Sequence, residues 1–352
     1  MYSPKFTITN DILKNVASIE ASREVVENAP LIPSFEKRFQ NEAMLRTVYH
    51  GTHIEGNELT LSEAKRVLEG ESIVARDRDI QEVINYRNVS HKLDSFGKLD
   101  SYGTEVLTGL HELTTQRILT PEKVGKIRQT QVVVKDALTG EITFRPPTHL
   151  EVPFLISEFF AWLNSDSGWE VHPVLRAGIA HYVLVAIHPF VEGNGRVARA
   201  FATCILFNEG YDIKKLFSIE EYFDRDAELY YEALQAVSSS SKDLASRDLT
   251  PWLSYFTKGL AIELTRIKDQ VKRISIDVKI KARVGRQLEL SSRQVVLMEY
   301  FGDHQILRRQ DAKRLLSMIS EDTILRELQD LVKKGIIKKE GVGRGARYRL
   351  KT

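Results

Sequence analysis

Residues 188–199 read HPFVEGNGRVAR, and that run decides the fold. Ahead of it, Val174 to Ile187 is almost wholly apolar, broken by Arg176, Gly178 and His181. Such a run predicts a helix buried on every side. After it, Val197, Ala200, Phe201, Cys204 and Ile205 recur at helical spacing as far as Asn208 and the stop signal Gly210, which predicts a second core helix. The turn between them holds Gly193, Asn194 and Gly195. These residue types tolerate positive φ, so successive backbone N–H groups can converge on one concavity at a helix N-terminus. Free amides and the helix dipole both favour an anion there. Arg196 and Arg199 stand three apart on the new helix and can share one side.

Each side chain type suits phosphate chemistry. His188 is the nearby group able to accept a proton near neutral pH, which makes it the candidate general base. Glu192 is a hard oxygen ligand suited to one Mg²⁺ that keeps several waters. Arg196 and Arg199 would neutralise phosphate and leaving-group charge. Phe190 is expected to pack inward and stiffen the loop. A plain helix–turn–helix corner with a capping histidine and solvated arginines is the competing explanation. It would suffice for an isolated GNG or HPF. It explains poorly why matched residue types fill most of one short run.

The run resembles the signature of the Fic family, His-x-Phe-x-Asp/Glu-Gly-Asn-Gly-Arg-x-x-Arg, without departure. Members are mostly protein adenylyltransferases, which move AMP from ATP to a hydroxyl side chain of a target protein with Mg²⁺. The resemblance implies that His188 deprotonates the target hydroxyl and that Glu192 holds Mg²⁺. It also implies that the run Gly193, Asn194, Gly195, Arg196, Val197, Ala198 and Arg199 lines the nucleotide, with both arginines on the β- and γ-phosphates. The expected fold is mainly α: a Fic-type helical bundle with a β-hairpin flap, plus a small C-terminal winged helix-turn-helix domain.

The chain has 352 residues, 42 % hydrophobic and 28 % charged, as suits a soluble globular protein of two or three domains. The expected organisation is an N-terminal helical region over 1–100, a catalytic core over 101–265, a linker over 266–288 and a last domain over 289–352. The net charge of +2 is unevenly spread. From Val271 to Thr352 there are 20 Lys+Arg against 10 Asp+Glu; the chain totals of 50 and 48 then leave 30 and 38 before Val271. The single cysteine, Cys204, excludes an internal disulfide and reads as core filling. No signal pattern and no membrane-length apolar run is present, so the expected location is cytoplasmic.

Near the N-terminus, Ala43, Leu45, Val48 and Tyr49 suggest a helix, near 45–57, leading into Gly51-Thr52-His53-Ile54-Glu55-Gly56-Asn57. Thr60 with Glu63 then forms a capping box for the next helix. Taken alone, Glu55 reads as a solvated helix-end carboxylate. The resemblance gives it a sharper role, because many Fic proteins carry an inhibitory helix with the pattern Ser/Thr-x-x-x-Glu-Gly/Asn. Its glutamate pairs with the second signature arginine, here Arg199, and keeps the ATP γ-phosphate from docking productively. The Ser/Thr position is held by Gly51, with a hydroxyl one residue later at Thr52.

Residues 131–144 read as a β-hairpin turning at Thr139-Gly140. A two-stranded ribbon in a helical chain offers an edge to an extended peptide, although a decorative surface hairpin fits the sequence equally well. The resemblance makes it a flap that docks the target protein, with Val134 and Lys135 nearest the nucleotide. It likewise makes Tyr230 and Tyr231 candidates for nucleotide contact, where spacing alone suggests core plus surface. His111, His172 and His181 read as structural, and no zinc spacing is present.

Three helices over 292–301, 309–316 and 320–334, then a basic hairpin, resemble a winged helix-turn-helix. Arg344, Arg347 and Arg349 suit phosphates, whereas Ser320-Glu321-Asp322 at the start of the third helix opposes DNA. DNA through 289–352 and protein contact both stay open, as does a homodimer. The leading function is an Mg²⁺-dependent protein adenylyltransferase using ATP and restrained by Glu55. The alternatives are a Fic-fold transferase or de-AMPylase with another phosphate-containing substrate, and a nucleotide-sensing DNA-binding regulator.

Overall fold

The computed structural model describes residues 2–29, 31, 33–95, 99–135, 140–274, 290–317, 319–341 and 345–351. It is mainly helical. In chain order the helices are α1 (Asn10–Glu27), α2 (Pro33–His53), α3 (Leu61–Leu68), α4 (Asp77–Ser95), α5 (Thr104–Thr115), α6 (Val152–Leu163), the single turn α7 (Asp166–Trp169), α8 (Pro173–Ile187), α9 (Asn194–Asn208), α10 (Ile219–Arg225), α11 (Ala227–Ser238) and α12 (Thr250–Ile274). They continue with α13 (Ser292–Asp303), α14 (Arg309–Leu315) and α15 (Glu321–Lys333). The strands are β1 (Val134–Lys135), β2 (Ile142–Phe144), β3 (Leu307–Arg308), β4 (Ile337–Glu340) and β5 (Arg347–Leu350).

Two compact units emerge, Met1–Arg23 with Asn41–Thr265, and Glu24–Gln40 with Arg266–Thr352. Residues 41–100 thus pack in one unit with 101–265, and 266–274 continue α12. The remainder of the expected linker, 275–288, lies outside the described residues.

In the first unit α8 is the central rod. Nearly every residue from Val174 to Ile187 is buried, because its apolar side chains leave no face for water. Helix α9 packs against it, and α4 and α5 pack against α9. Helix α12 comes close to α8 at Gly178: a methyl there would press on Leu253 and Phe256, and the Gly178 carbonyl accepts from Trp252 Nε1 at 2.8 Å. Cys204 is core filling, 2 % exposed. Strands β1 and β2 pair antiparallel, Val134 with Phe144 and Lys135 with Ile142, with a bulge between. The ribbon is shorter than the sequence suggests, since 131–133 are not in strand. Its turn residue Thr139 lies outside the described residues.

The second unit has its own core of Leu297, Met298, Leu307, Ile324, Leu328 and Tyr348. Its three strands are ordered β3-β5-β4, all antiparallel. Ser320 caps α15 through the Thr323 amide. Arg344 falls outside the described residues.

Candidate active site

The site is built where α8 ends and α9 begins. His188 caps α8 in the left-handed conformation, φ +54°, which turns the chain sharply out of the helix. Gly193 follows at φ +79° and is the N-cap of α9; a β-substituted residue would be strained there. Asn194 closes the turn on itself. Its Oδ1 accepts from the Phe190 amide and its Nδ2 donates to the Phe190 carbonyl, both at 2.9 Å. The Asn194 side chain therefore clasps the loop and is not available to a nucleotide. Phe190 is fully buried and stacks on His111 with ring centroids 3.8 Å apart.

His188 Nδ1 lies 3.2 Å from the Val185 carbonyl. A carbonyl can only accept, so the proton sits on Nδ1 and the Nε2 lone pair is free to take another. Burial lowers the proton affinity of His188, and the Arg128 charge adds to that, while the Val185 bond and Glu55 oppose it. The ring is thereby kept neutral at ordinary pH, with the Nε2 lone pair in place to accept a proton.

Arg196 and Arg199 are 2 % and 1 % exposed. Nε and Nη1 of each lack a hydrogen-bond partner. Arg196 Nη1 does lie 3.3 Å from Glu82 Oε1, an ion pair without hydrogen-bond geometry. Buried cationic donors without acceptors are costly unless an anion completes them. Val197 and Ala198 bury their side chains in the core, and the Val197 amide is already bonded to Gly193 O at 3.0 Å. Neither therefore presents a side chain to the cradle.

Glu55 sits in the turn after α2 and meets Arg199 Nη2 at 2.9 Å. The same nitrogen donates to the Gly51 carbonyl at 2.8 Å. Burial would raise the Glu55 carboxyl, but Arg199 and then Arg196 outweigh it and hold it below the usual range. The departure at Gly51 has a steric cause, because any side chain there would collide with the Tyr86 ring. Thr52 gives its hydroxyl to the carbonyls of Val48 and Tyr49 within its own helix. Asn57 then fixes the turn to α4, donating to Asp79 O and Glu82 Oε2, both at 3.0 Å.

Glu192 is paired with Arg78, and with Arg196 at 3.3 Å. Among the described residues no cluster of three His, Cys, Asp or Glu could hold a metal ion. Mg²⁺ binds through one or two carboxylates plus substrate phosphates and needs no protein cage, so the single carboxylate of Glu192 is chemically suited to it. Tyr230 is 1 % exposed, its hydroxyl 3.2 Å from His181 Nε2. Burial pushes its phenol up to about 12 against the opposing Arg199 charge. It lies in the core and not on an open nucleotide face. Tyr231 is half exposed and donates to Ile54 O at 3.1 Å, next to Glu55. Val134 is half-buried and Lys135 exposed on β1.

Sequence reasoning passed over Glu82, Arg78 and Arg128, and read His111 as structural. His111 Nε2 lies 3.1 Å from Glu192 O while its Nδ1 accepts from the Gly125 amide at 2.9 Å. That second bond fixes Nε2 as the protonated nitrogen. Burial lowers its proton affinity to about 4.

The Fic/DOC family profile matches residues 101–206. Protein adenylyltransferase Fic of Culex quinquefasciatus is 30 % identical over 206 residues, 56 % of this chain and 39 % of that protein. The Drosophila willistoni protein of the same name is 27 % identical over 288 residues, 78 % and 52 % respectively. The chain thus spans about half or less of these curated relatives. A Fic family protein from Desulfovibrio desulfuricans G20 has the same fold, TM-score 0.67 at 23 % identity, over 99 % of this chain and 98 % of its own. Fic-1 (residues 134–508) from C. elegans gives 0.60 at 25 % identity over 74 % and 73 %.

Proposed function

We propose that this chain, whose residues 101–206 match the Fic/DOC family profile, is a protein adenylyltransferase restrained by Glu55. The observation that carries the reading is the pair Arg196 and Arg199, buried with donors lacking acceptors beside a histidine whose Nε2 is free. An ATP polyphosphate supplies the missing acceptors. The N-terminus of α9 adds its dipole on the same side.

In this mechanism a target Ser, Thr or Tyr hydroxyl attacks the α-phosphorus of ATP in line. His188 Nε2 takes the hydroxyl proton as the new O–P bond forms. The α–β phosphoanhydride bond breaks, and pyrophosphate leaves towards Arg196 and Arg199. Glu192 would hold the Mg²⁺, whose chemistry is to neutralise phosphate charge. The β1–β2 hairpin offers its edge to the target segment. Glu55 occupies Arg199, so the γ-phosphate meets a carboxylate where it needs a cation.

For the second unit, helix, strand, helix, helix and a two-stranded hairpin support a winged helix reading. Lys338 and Arg349 are paired with Glu340 at 3.1 and 3.4 Å, which reduces the basic charge left for DNA. A mobility shift with the full chain tests that partner, and cytoplasmic residence belongs to the same proposal.

The deciding experiment labels wild type, Glu55→Gly and Glu55→Gly/His188→Ala with α-³²P-ATP and, in parallel, γ-³²P-ATP. Label from the α-phosphate alone, strong in Glu55→Gly and lost in the double variant, is expected. Label from the γ-phosphate would mean phosphoryl transfer and overturn the reading.

A further inference from the structure

Arg128 lies in the loop between α5 and the hairpin and is 3 % exposed. Its Nε donates to the His188 carbonyl at 2.7 Å, and Nη2 reaches the Ile187 carbonyl at 3.5 Å. Nη1 donates to Thr130 O at 3.1 Å, and Nη2 to Pro147 O at 2.6 Å. Its own amide donates to Pro189 O at 2.9 Å. Every one of these acceptors is a backbone carbonyl, and among the described residues no carboxylate pairs with it.

The acceptors fall into two sets. Ile187, His188 and Pro189 form the end of α8, where helix carbonyls have no intrahelical partner and a cation is favoured. Thr130 and Pro147 are the two roots of the β1–β2 hairpin. Gln131 adds a second stitch between those roots, donating to Pro146 O at 3.3 Å. Only a planar guanidinium can serve both sets at once; an ammonium is a point charge without that fork.

We propose that Arg128 is a positioning residue that makes the seating of the hairpin roots and the aim of the His188 ring a single arrangement. The backbone of His188 sits at positive φ, a conformation that a non-glycine residue keeps only when its surroundings hold it. Arg128 holds it by the carbonyl. A target segment that pairs with the hairpin edge is thereby placed in fixed register with Nε2. Arg128 also sets a charge beside the ring: of the charged groups acting on His188, Glu55 raises its proton affinity and Arg128 lowers it. The desolvated guanidinium is itself lowered by burial.

The inference rests on the adenylyltransferase reading for its consequence, and its test separates the two. In the Glu55→Gly background, Arg128→Lys and Arg128→Gln are compared by thermal melting, ATP calorimetry, α-³²P self-labelling and histidine-ring NMR titration, with His188→Ala for assignment. Both variants should bind ATP within about twofold of the parent and label on the order of tenfold to a hundredfold more slowly, the scale of a misplaced reacting group. The His188 titration should move up in Arg128→Gln and stay near the parent in Arg128→Lys, which keeps the charge. Should Arg128→Gln not fold, the label rate of Arg128→Lys at unchanged ATP affinity decides alone. Parent-like labelling by Arg128→Lys, or an unmoved His188 titration in Arg128→Gln, overturns the proposal. No label from Glu55→Gly itself would overturn the transfer reading, leaving the titration to judge Arg128.

Discussion

The carboxylate of Glu55 rests on Arg199, 2.9 Å from Nη2, in space that exists because Gly195 has no side chain. A Cβ at residue 195 would collide with Glu55 Oε1 and stand 3.2 Å from Arg199 Nη1. The carboxylate therefore occupies the mouth of the α9 N-terminus, where the proposed phosphate would lie.

Gly195→Ala separates displacement of Glu55 from opening of the cradle. The methyl should push Glu55 off Arg199 yet occupy the same space itself. ATP affinity, measured by calorimetry, should fall tenfold or more, and α-³²P labelling should stay at or below wild type. Glu55→Gly clears the space instead and should raise labelling at least tenfold. Activation by Gly195→Ala would place the phosphate elsewhere.

The legible parts of the site were contiguous in sequence. His188, Glu192, Arg196 and Arg199 come from one turn and one helix face, so spacing alone assembled them. Glu55, taken alone, read as a solvated helix-end carboxylate, and only the family pattern pointed it at Arg199. Glu82, Arg78 and Arg128 converge from α4 and a loop through tertiary packing, and nothing local announces them. For Tyr230 and Tyr231 the resemblance pointed to nucleotide contact, whereas packing gives the core-plus-surface pair that their spacing suggests: Tyr230 is buried against His181 and Tyr231 is half exposed. Long apolar runs gave α8 and α9 clearly. The hairpin came out shorter because β-propensity at 131–133 does not by itself supply a pairing partner.

His111 predicts a pH dependence of stability. Its folded proton affinity is lowered to about 4, below the unfolded value of roughly 6.5. Between these values the unfolded chain binds the proton and the folded protein does not. The stabilisation is thus complete above the unfolded value and is lost as pH falls towards the folded one. Denaturant melts between pH 4.5 and 6 should lose about 1.4 kcal/mol per pH unit from this group. His111→Gln should remove roughly that slope; an unchanged slope would assign the dependence to His181 or His188, which shift the same way.

Arg78 holds the carboxylate proposed for Mg²⁺, pairing with Glu192 and, at 3.2 Å, with Glu82. Arg78→Ala should release Glu192 and tighten divalent binding to the ATP complex about three- to tenfold. Mn²⁺ titration followed by electron paramagnetic resonance reads this without any turnover. Arg78→Lys should fall between. Identical Mn²⁺ binding in all three proteins would show that Arg78 does not compete for Glu192.

Asp224 anchors the end of α2 that carries the Glu55 turn. His50 Nδ1 meets Asp224 Oδ2 at 2.7 Å and His53 Nδ1 meets Oδ1 at 2.8 Å. One turn earlier Arg46 reaches Glu221 and Glu263 at 2.6 and 2.9 Å. Residues 46, 50 and 53 share a helix face, so α2 is fastened to α10 along one line of polar contacts. Both histidine bonds outweigh burial and hold the Asp224 carboxyl below its usual range. Asp224→Asn keeps the shape and removes the charge. It should lower stability by roughly 1.5–3 kcal/mol, the range for bonds to a charged group, and loosen Glu55 without deleting it. Basal α-³²P labelling should then rise several-fold, less than in Glu55→Gly, and the two changes together should add nothing to Glu55→Gly alone. If Asp224→Asn raised labelling further in a chain already lacking Glu55, the aspartate would act on the active site by a route separate from the Glu55 turn.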